Sequence, residues 1–229
     1  MKTIGLIGGM SWESSLEYYR LINQLVKERL GGLHSACCIM YSVDFAQIEA
    51  FQREGRWDDA GAALAHAAKA LERAGADFIV LCTNTMHNNA EAIEQAVAIP
   101  LLHIVDATAE RIVQRGIRRV GLLGTRYTME FPFYRERMRR YGVEVLVPDE
   151  PDRAIVNRII FEELCLGNVL PKSKQEYLRV MDGLVRRGAE GVILGCTEIT
   201  LLIKPEDMLV PLFDSTRIHA EEAVTRALG

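Results

Sequence analysis

What this 229-residue chain lacks narrows the field at once. It has no Cys-x-x-Cys pair, and its five cysteines are an odd number. Both points argue against a disulfide framework and for a reducing, cytoplasmic setting. No Walker-type Gly-Lys-Ser/Thr occurs, and neither Gly5-Leu6-Ile7-Gly8-Gly9-Met10 nor Gly124-Thr125-Arg126-Tyr127-Thr128 fits Gly-x-Gly-x-x-Gly, so a nucleotide cofactor is not expected. No basic stretch suggests nucleic acid; the densest cluster, residues 135–140, reads as the solvated face of a helix. No apolar run is long enough to cross a bilayer, and the one that reaches Gly8 is too short for a signal-peptide core. Lysine is scarce: Lys2, Lys27, Lys69, Lys172, Lys174 and Lys204 lie at the chain start, on helices or in polar turns. None sits at an apolar strand end, where a Schiff base to pyridoxal phosphate would be formed.

What is present is an ordinary globular composition, 49% hydrophobic and 25% charged with a net charge of −4. Such a chain suits one large domain or two of roughly 100 to 115 residues. Residues 3–9 read as a buried strand closed by two glycines, and 11–30 continue at helical period. Ser11 is the expected N-cap and Ser14 a second one, and Gly31-Gly32 stops the helix. Further strands are expected at 37–43, 77–82, 101–104, 118–123, 143–147, 191–195 and 209–213. Helices are expected within 44–59 and over 58–74, from 84 to before Pro100, and over 107–116, 130–141, 152–166, 172–187 and 216–228. This alternation predicts an α/β fold with parallel sheets covered on both faces.

The chain also repeats itself. GADFIVLCTNTMH (75–87) returns as GAEGVILGCTEIT (188–200), which puts Cys82 and Cys196 114 residues apart. TIGLIGGMS (3–11) matches RVGLLGTRY (119–127), and IPLLHI (99–104) matches VPLFDS (210–215), with the same order and nearly the same offset. Two copies of one α/β half follow, with a seam by repeat near Gly116 to Arg118. Cys82, Cys196, Gly8–Met10 and Gly124–Thr125 all fall at the carboxyl ends of strands, where ligands gather in such sheets. Each half is expected to place one thiol in an equivalent spot, the pair facing each other across whatever lies between.

Cys37, Cys38 and Cys165 read as small buried hydrophobes. Cys82 and Cys196 differ, because each is followed by Thr where a helix is expected to begin. Oriented N–H groups there would lower the thiol pKa and favour the thiolate. Thr83, Asn84 and Thr85 after the first, and Thr197 and Glu198 after the second, offer donors and one carboxylate to hold a zwitterion. One ionised and one protonated thiol could take a proton from one face of a carbon and return one to the other. Zinc ligation by Cys82, His87, His103 and Cys196 fits no common spacing. A Cys-His hydrolase using His87 or His219 would leave the second matched cysteine unexplained. His87 reads as a support for the first thiol. The strand-to-helix glycines either present backbone N–H groups to a carboxylate or are bare turns.

GLIGGMSWES (5–14), VLCTNTMH (80–87), GLLGTRYTM (121–129) and GCTEI (195–199), in this order and spacing, resemble the aspartate/glutamate racemase superfamily over essentially the whole chain. The resemblance implies two pseudo-symmetric three-layer domains with parallel four-stranded sheets and an active-site cleft between them. The last helix would cross back, giving domains 1–98 plus 210–229 and 99–209. It implies a racemase that needs no cofactor and no metal, usually a homodimer, acting on a free amino acid. Cys82 and Cys196 would transfer protons, with Asn84, Thr85, Thr125, Thr128 and Thr197 holding carboxylate and ammonium and Met10, Ser11 and Gln52 lining the cleft.

One departure bears on specificity. Members strict for aspartate resemble one another in an Arg after the second strand and a Lys on the helix here written 157–165. This chain has Gln47-Ile48-Glu49 near the first and Cys165 at the second, which removes the usual cations for a side-chain carboxylate; Gln52 or Arg126 would have to substitute. It looks most like the broad or less exclusive subgroup. In some of its members threonine replaces the first cysteine and one substrate hand is favoured; with Cys82 present here, both enantiomers are expected to be handled. The alternatives are a one-cysteine relative, such as a decarboxylase or a cis–trans isomerase of a small diacid, and an amino-acid-binding protein without turnover.

Overall fold

The computed structural model describes residues 1–229. The chain opens with β1 (Ile4–Gly8), α1 (Trp12–Leu30), β2 (Cys38–Ser42), α2 (Phe45–Arg53), α3 (Trp57–Arg73) and β3 (Phe78–Leu81). A 3-10 turn (Thr85–Asn89), α4 (Ala90–Glu94) and β4 (Leu101–Leu102) follow, then α5 (Ile104–Gln114). The second run is β5 (Arg119–Gly124), α6 (Arg126–Glu130), α7 (Pro132–Arg139), β6 (Glu144–Leu146), α8 (Glu150–Glu162) and a 3-10 turn (Leu164–Leu166). It ends with α9 (Pro171–Arg186), β7 (Val192–Gly195), α10 (Ile199–Leu202), a 3-10 turn (Pro205–Asp207), β8 (Leu212–Asp214) and α11 (Ser215–Leu228).

The strands form two four-stranded sheets, ordered β2-β1-β3-β4 and β6-β5-β7-β8, with every pairing parallel. The expected α/β architecture is therefore present. Contacts divide the chain into one unit of residues 1–104 with 219–229 and another of 105–218. The division lies beyond the boundaries expected at 98/99 and 209/210. β4 completes the first sheet by pairing with β3, and β8 completes the second by pairing with β7.

In the first unit, side chains alternate along β3 as a strand buried on both faces requires. Phe78 and Val80 pack with Ile4, Leu6, Tyr18, Leu21 and Ile22 under α1 and with Ala220, Ala223 and Val224 of the carboxyl-terminal segment. Ile79 and Leu81 pack on the other face with Ile7, Leu64, Ala67, Ala68 and Leu71 of α3. In the second unit, Leu123, Val192 and Leu194 pack against Val156, Ile159 and Ile160 of α8 and Tyr177, Val180, Met181 and Leu184 of α9.

Most departures from the expected elements are short. The helix expected from 84 is a 3-10 turn and then five residues of α4, and the one expected over 130–141 is split before Pro132 into α6 and α7. Proline at the first position of a helix has no N–H to lose, so it starts α7 cleanly. α5 begins at Ile104, three residues earlier than expected, because β4 is only two residues long.

His219 anchors the carboxyl-terminal segment in the first unit. It is fully buried, with Nε2 2.8 Å from Leu102 O and Nδ1 2.8 Å from the Tyr18 hydroxyl. The carbonyl only accepts, so the proton sits on Nε2 and the tyrosine donates to Nδ1. Burial pushes its pKa down to about 4, and the bond to Leu102 O offsets this in part. An unfolded chain would titrate near 6.5. The neutral ring therefore supports the fold fully above about pH 6.5, and that support is lost as pH falls towards 4. Between pH 7 and 5 the loss is about 2 kcal/mol. We expect His219→Gln to remove this part of the slope in urea unfolding at the two pH values; an unchanged slope would assign the acid sensitivity to other groups.

Candidate active site

In the first unit the parallel ladder brings the ends of β1 and β3 together, with Cys82 N donating to Ile7 O at 2.9 Å. Gly9 N donates to Ser15 Oγ at 2.7 Å, and that hydroxyl donates to Ser11 O. Ser11 is the N-cap of α1, its side chain accepting from Ser14 N. Ser14 lies inside the helix, where its hydroxyl holds Cys82 O at 3.1 Å. It tethers β3 and does not cap, a role that its sequence spacing could not indicate. Met10, Asn84 and Thr85 are buried beside these turns. Gln52 of α2 is buried too, its Nε2 2.8 Å from Met86 Sδ.

His87 fixes the chain after β3. Its Nδ1 lies 2.7 Å from Thr83 O and its Nε2 accepts from Ile104 N at 3.2 Å. One nitrogen faces an acceptor and the other a donor, so the ring is neutral with its proton on Nδ1. His87 therefore braces the Thr83 carbonyl, whereas the sequence reading has it support the Cys82 thiol.

In the second unit Thr125 caps α6. Its hydroxyl accepts from Thr128 N at 3.3 Å and lies 3.2 Å from Thr128 Oγ1. Beyond β7, Cys196 Sγ lies 2.9 Å from Glu198 Oε2, the thiol donating to the carboxylate. Thr197 Oγ1 lies 3.3 Å from Thr216 Oγ1, and Asp214 Oδ1 accepts from Thr216 N and Arg217 N. Thr216 was not foreseen; the Asp-Ser-Thr run at the end of β8 was its signal. Cys165, at the position of the missing cation, packs on the same core as Cys196.

The thiols themselves do not have the low pKa expected of a helix N-terminus. Burial pushes Cys82 well up, with a lesser contribution from Cys38. Burial also raises Cys196, and the charge of Glu198 and its hydrogen bond raise it further. The elements that follow are a five-residue 3-10 turn and a four-residue helix, too short to offset desolvation.

Strand register also corrects the pairing of the two cysteines. Ile7 pairs with Leu81, and its repeat counterpart Leu123 pairs with Leu194. Gly8 corresponds to Gly124, which pairs with Gly195. One residue past Leu81 is Cys82, and one past Leu194 is Gly195, so Cys196 matches Thr83. The burial pattern agrees. Cys82 is 0% exposed in the core beneath α1, its thiol 3.9 Å from Val80 O. Cys196 lies against the opposite, α8/α9 side of its own sheet and, like Thr83, is partly exposed. A Cβ at Gly195 would lie 2.9 Å from Leu123 O and 3.0 Å from Leu122 Cδ1, so the second unit has no room for a side chain where the first has Cys82. Matching Cys-Thr with Cys-Thr by letter slips the repeat by one residue, and in a strand that reverses the face.

A model of the Asp/Glu/hydantoin racemase family matches residues 7–223. The chain belongs to that family. A candidate Asp/Glu racemase from Yersinia pestis is 57% identical with full coverage of both chains and a TM-score of 0.95. An aspartate racemase homologue from Pyrococcus horikoshii is 41% identical, again with full coverage of both, and has a TM-score of 0.89. The broad specificity amino-acid racemase RacX of Bacillus subtilis is 28% identical over 75% of this chain and 74% of that protein. No helix of this family member is long and apolar enough to cross a membrane.

The turn at Gly9 closes the strand end of β1 in the first unit. Its φ is +93°, and a Cβ there would stand 2.1 Å from Val43 O and 2.6 Å from Val43 N, both backbone atoms. Gly9→Ala is expected to cost at least about 2 kcal/mol. It should lower Tm by at least about 4 °C. An unchanged Tm in calorimetry would show that the loop moves aside freely.

Proposed function

We propose that this protein moves the α-proton of a small amino acid on and off Cα without a cofactor, interconverting L and D forms, and that Cys196 is its proton-transfer thiol. The observation that supports this reading is the strand register, which sets Cys196 and Thr83 at matching ends of β7 and β3. Both are partly exposed beside hydroxyl and amide groups that suit a zwitterion: Asn84 and Thr85 on one side, Thr125, Thr128 and Thr197 on the other. Met10, Ser11 and Gln52 complete the first side. The reading takes the protein to be a cytoplasmic homodimer, and light scattering checks the second point.

Cys196 as thiolate takes the proton from Cα, and the electron pair left behind is delocalised into the substrate carboxylate. A proton returned to the opposite face gives the enantiomer; one returned by the same thiol gives exchange alone. A threonine hydroxyl is a far weaker acid than a thiol of ordinary pKa about 8.5. Reprotonation from the Thr83 side is therefore slow, and exchange in one enantiomer outruns inversion. Enantiomers have equal free energy in water, so kcat/KM for inversion is the same from either hand.

Cys165 stands at the position of the missing Lys and Gln47-Ile48-Glu49 near that of the missing Arg; of the two candidate substitutes, the Gln52 amide faces the Met86 thioether and the Arg126 guanidinium lies over the Tyr127 ring. That favours breadth over strict selection of aspartate or glutamate, since bidentate Arg is the usual means of holding a carboxylate.

Deuterium uptake at Cα, followed by proton NMR with each enantiomer, tests the assignment. Cys196→Ala should lose both exchange and inversion by at least about 10³-fold. Cys82→Ala should keep activity within about tenfold, as a core truncation does not touch the reacting atoms. Thr83→Cys should raise inversion relative to exchange. A folded Cys82→Ala as inactive as Cys196→Ala would restore the pair of thiols expected from the sequence. No exchange from any amino acid tried would replace the racemase reading with that of a binding protein.

A further inference from the structure

The contact between Cys196 and Glu198 does more than place a carboxylate in the site. Cys196 Sγ and Glu198 Oε2 are 2.9 Å apart, and the hydrogen bond can exist only while the sulfur keeps its proton. The same residue supports the opposite state through its main chain, since the Glu198 backbone N–H is directed at the sulfur and favours the thiolate. Other ionisable groups near this thiol are Cys165, from the turn after α8, and Tyr177 of α9. Both favour the neutral sulfur when they are charged, and the tyrosine is itself held neutral by burial. Glu198 is thus the one nearby group that is both a carboxylate and partly open to solvent. Cys82 differs, because its thiol donates to a backbone carbonyl within an apolar core.

We propose that Glu198 is a positioning residue that keeps Cys196 a neutral thiol until a cationic group, the ammonium of an arriving amino acid, pairs with the carboxylate. Pairing with a cation cancels the like charge beside the sulfur and draws the carboxylate away from the S–H. The S–H bond then breaks, its proton passes to solvent water, and the thiolate is left on the Glu198 backbone N–H. The free enzyme keeps an unreactive sulfur, and the base forms where and when a zwitterion is bound. This ligand-gated ionisation rests on the proton-transfer role given to Cys196 above, but its test does not.

The test is the pH dependence of iodoacetamide alkylation at Cys196 in the ligand-free full chain, resolved from the other cysteines by peptide mass spectrometry. In Glu198→Gln the midpoint should fall by about one pH unit or more, as expected when a like charge at contact distance is removed. Below the midpoint, alkylation should be about tenfold faster or more, since rate follows the thiolate fraction. Glu198→Asp, which keeps the charge, should retain most of the raised midpoint, and Cys37 should be unaffected in both. A Glu198→Gln midpoint equal to that of the wild type overturns the proposal, as does an equal fall in Glu198→Asp, because either result leaves only a structural role. If Glu198→Gln does not fold, Glu198→Ala gives the same readout. Where turnover is measurable, the acid limb of kcat/KM should move to lower pH in Glu198→Gln while KM rises. A midpoint shift without any racemisation would keep the hold of Glu198 on the thiol and discard the racemase reading.

Discussion

A parallel hydrogen-bond ladder carries every strand of a sheet to its carboxyl end on the same side, and the candidate residues of each unit depend on that constraint. Because β1 lies beside β3, the turn at Gly8–Ser11 and the chain from Cys82 to Thr85 emerge together. Because β5 lies beside β7, Thr125 and Cys196 emerge together in the same way. Backbone groups freed at those ends have to be satisfied locally, and hydroxyl side chains do this: Ser15 for Gly9 N, Ser14 for Cys82 O, Thr125 for Thr128 N. The density of Ser and Thr that looked like substrate-binding chemistry in the sequence is partly the means by which the turns are held.

The α/β class, the number of strands and the place of the turns were legible in the sequence, because apolar runs closed by glycine are strong local signals. The capping of α1 by Ser11 and the stop at Gly31 were legible for the same reason. Register was not. Pairing Cys82 with Cys196 rests on the letters Cys-Thr occurring twice, and a ladder is read from hydrogen bonds between residues far apart in sequence. The signal that could have corrected it was Gly195, a glycine just before the second cysteine where the first copy has Cys82 itself. Thr83 was named among the binding residues, and counting each copy from its Gly-Ala (75–76 and 188–189) already sets it opposite Cys196.

The electrostatics of the thiols was also hidden, since it depends on burial. A cysteine ahead of a helix is expected to ionise easily, but here desolvation outweighs the dipoles of one 3-10 turn and one short helix. For Cys82 that leaves a core side chain in contact with aliphatic neighbours. For Cys196 it leaves a partly exposed sulfur that donates to a carboxylate, a group that the sequence showed two residues away but could not aim.

These environments differ, and a racemase does not need them to match. Equal free energies of the two enantiomers fix only the ratio of kcat/KM in the two directions. How the enzyme divides its time between protonation states, and how strongly it binds each hand, is left free. A strong acid–base group on one side and a weak one on the other changes kcat and KM together for each enantiomer. It also separates exchange from inversion, because a proton removed and returned by one sulfur never crosses the plane of the carbanion. A duplicated scaffold can therefore hold a thiol with its own carboxylate at one strand end and a hydroxyl at the other. On the proposed function, what duplication preserves is the position of the reacting groups, while burial and neighbouring charge decide what each can do.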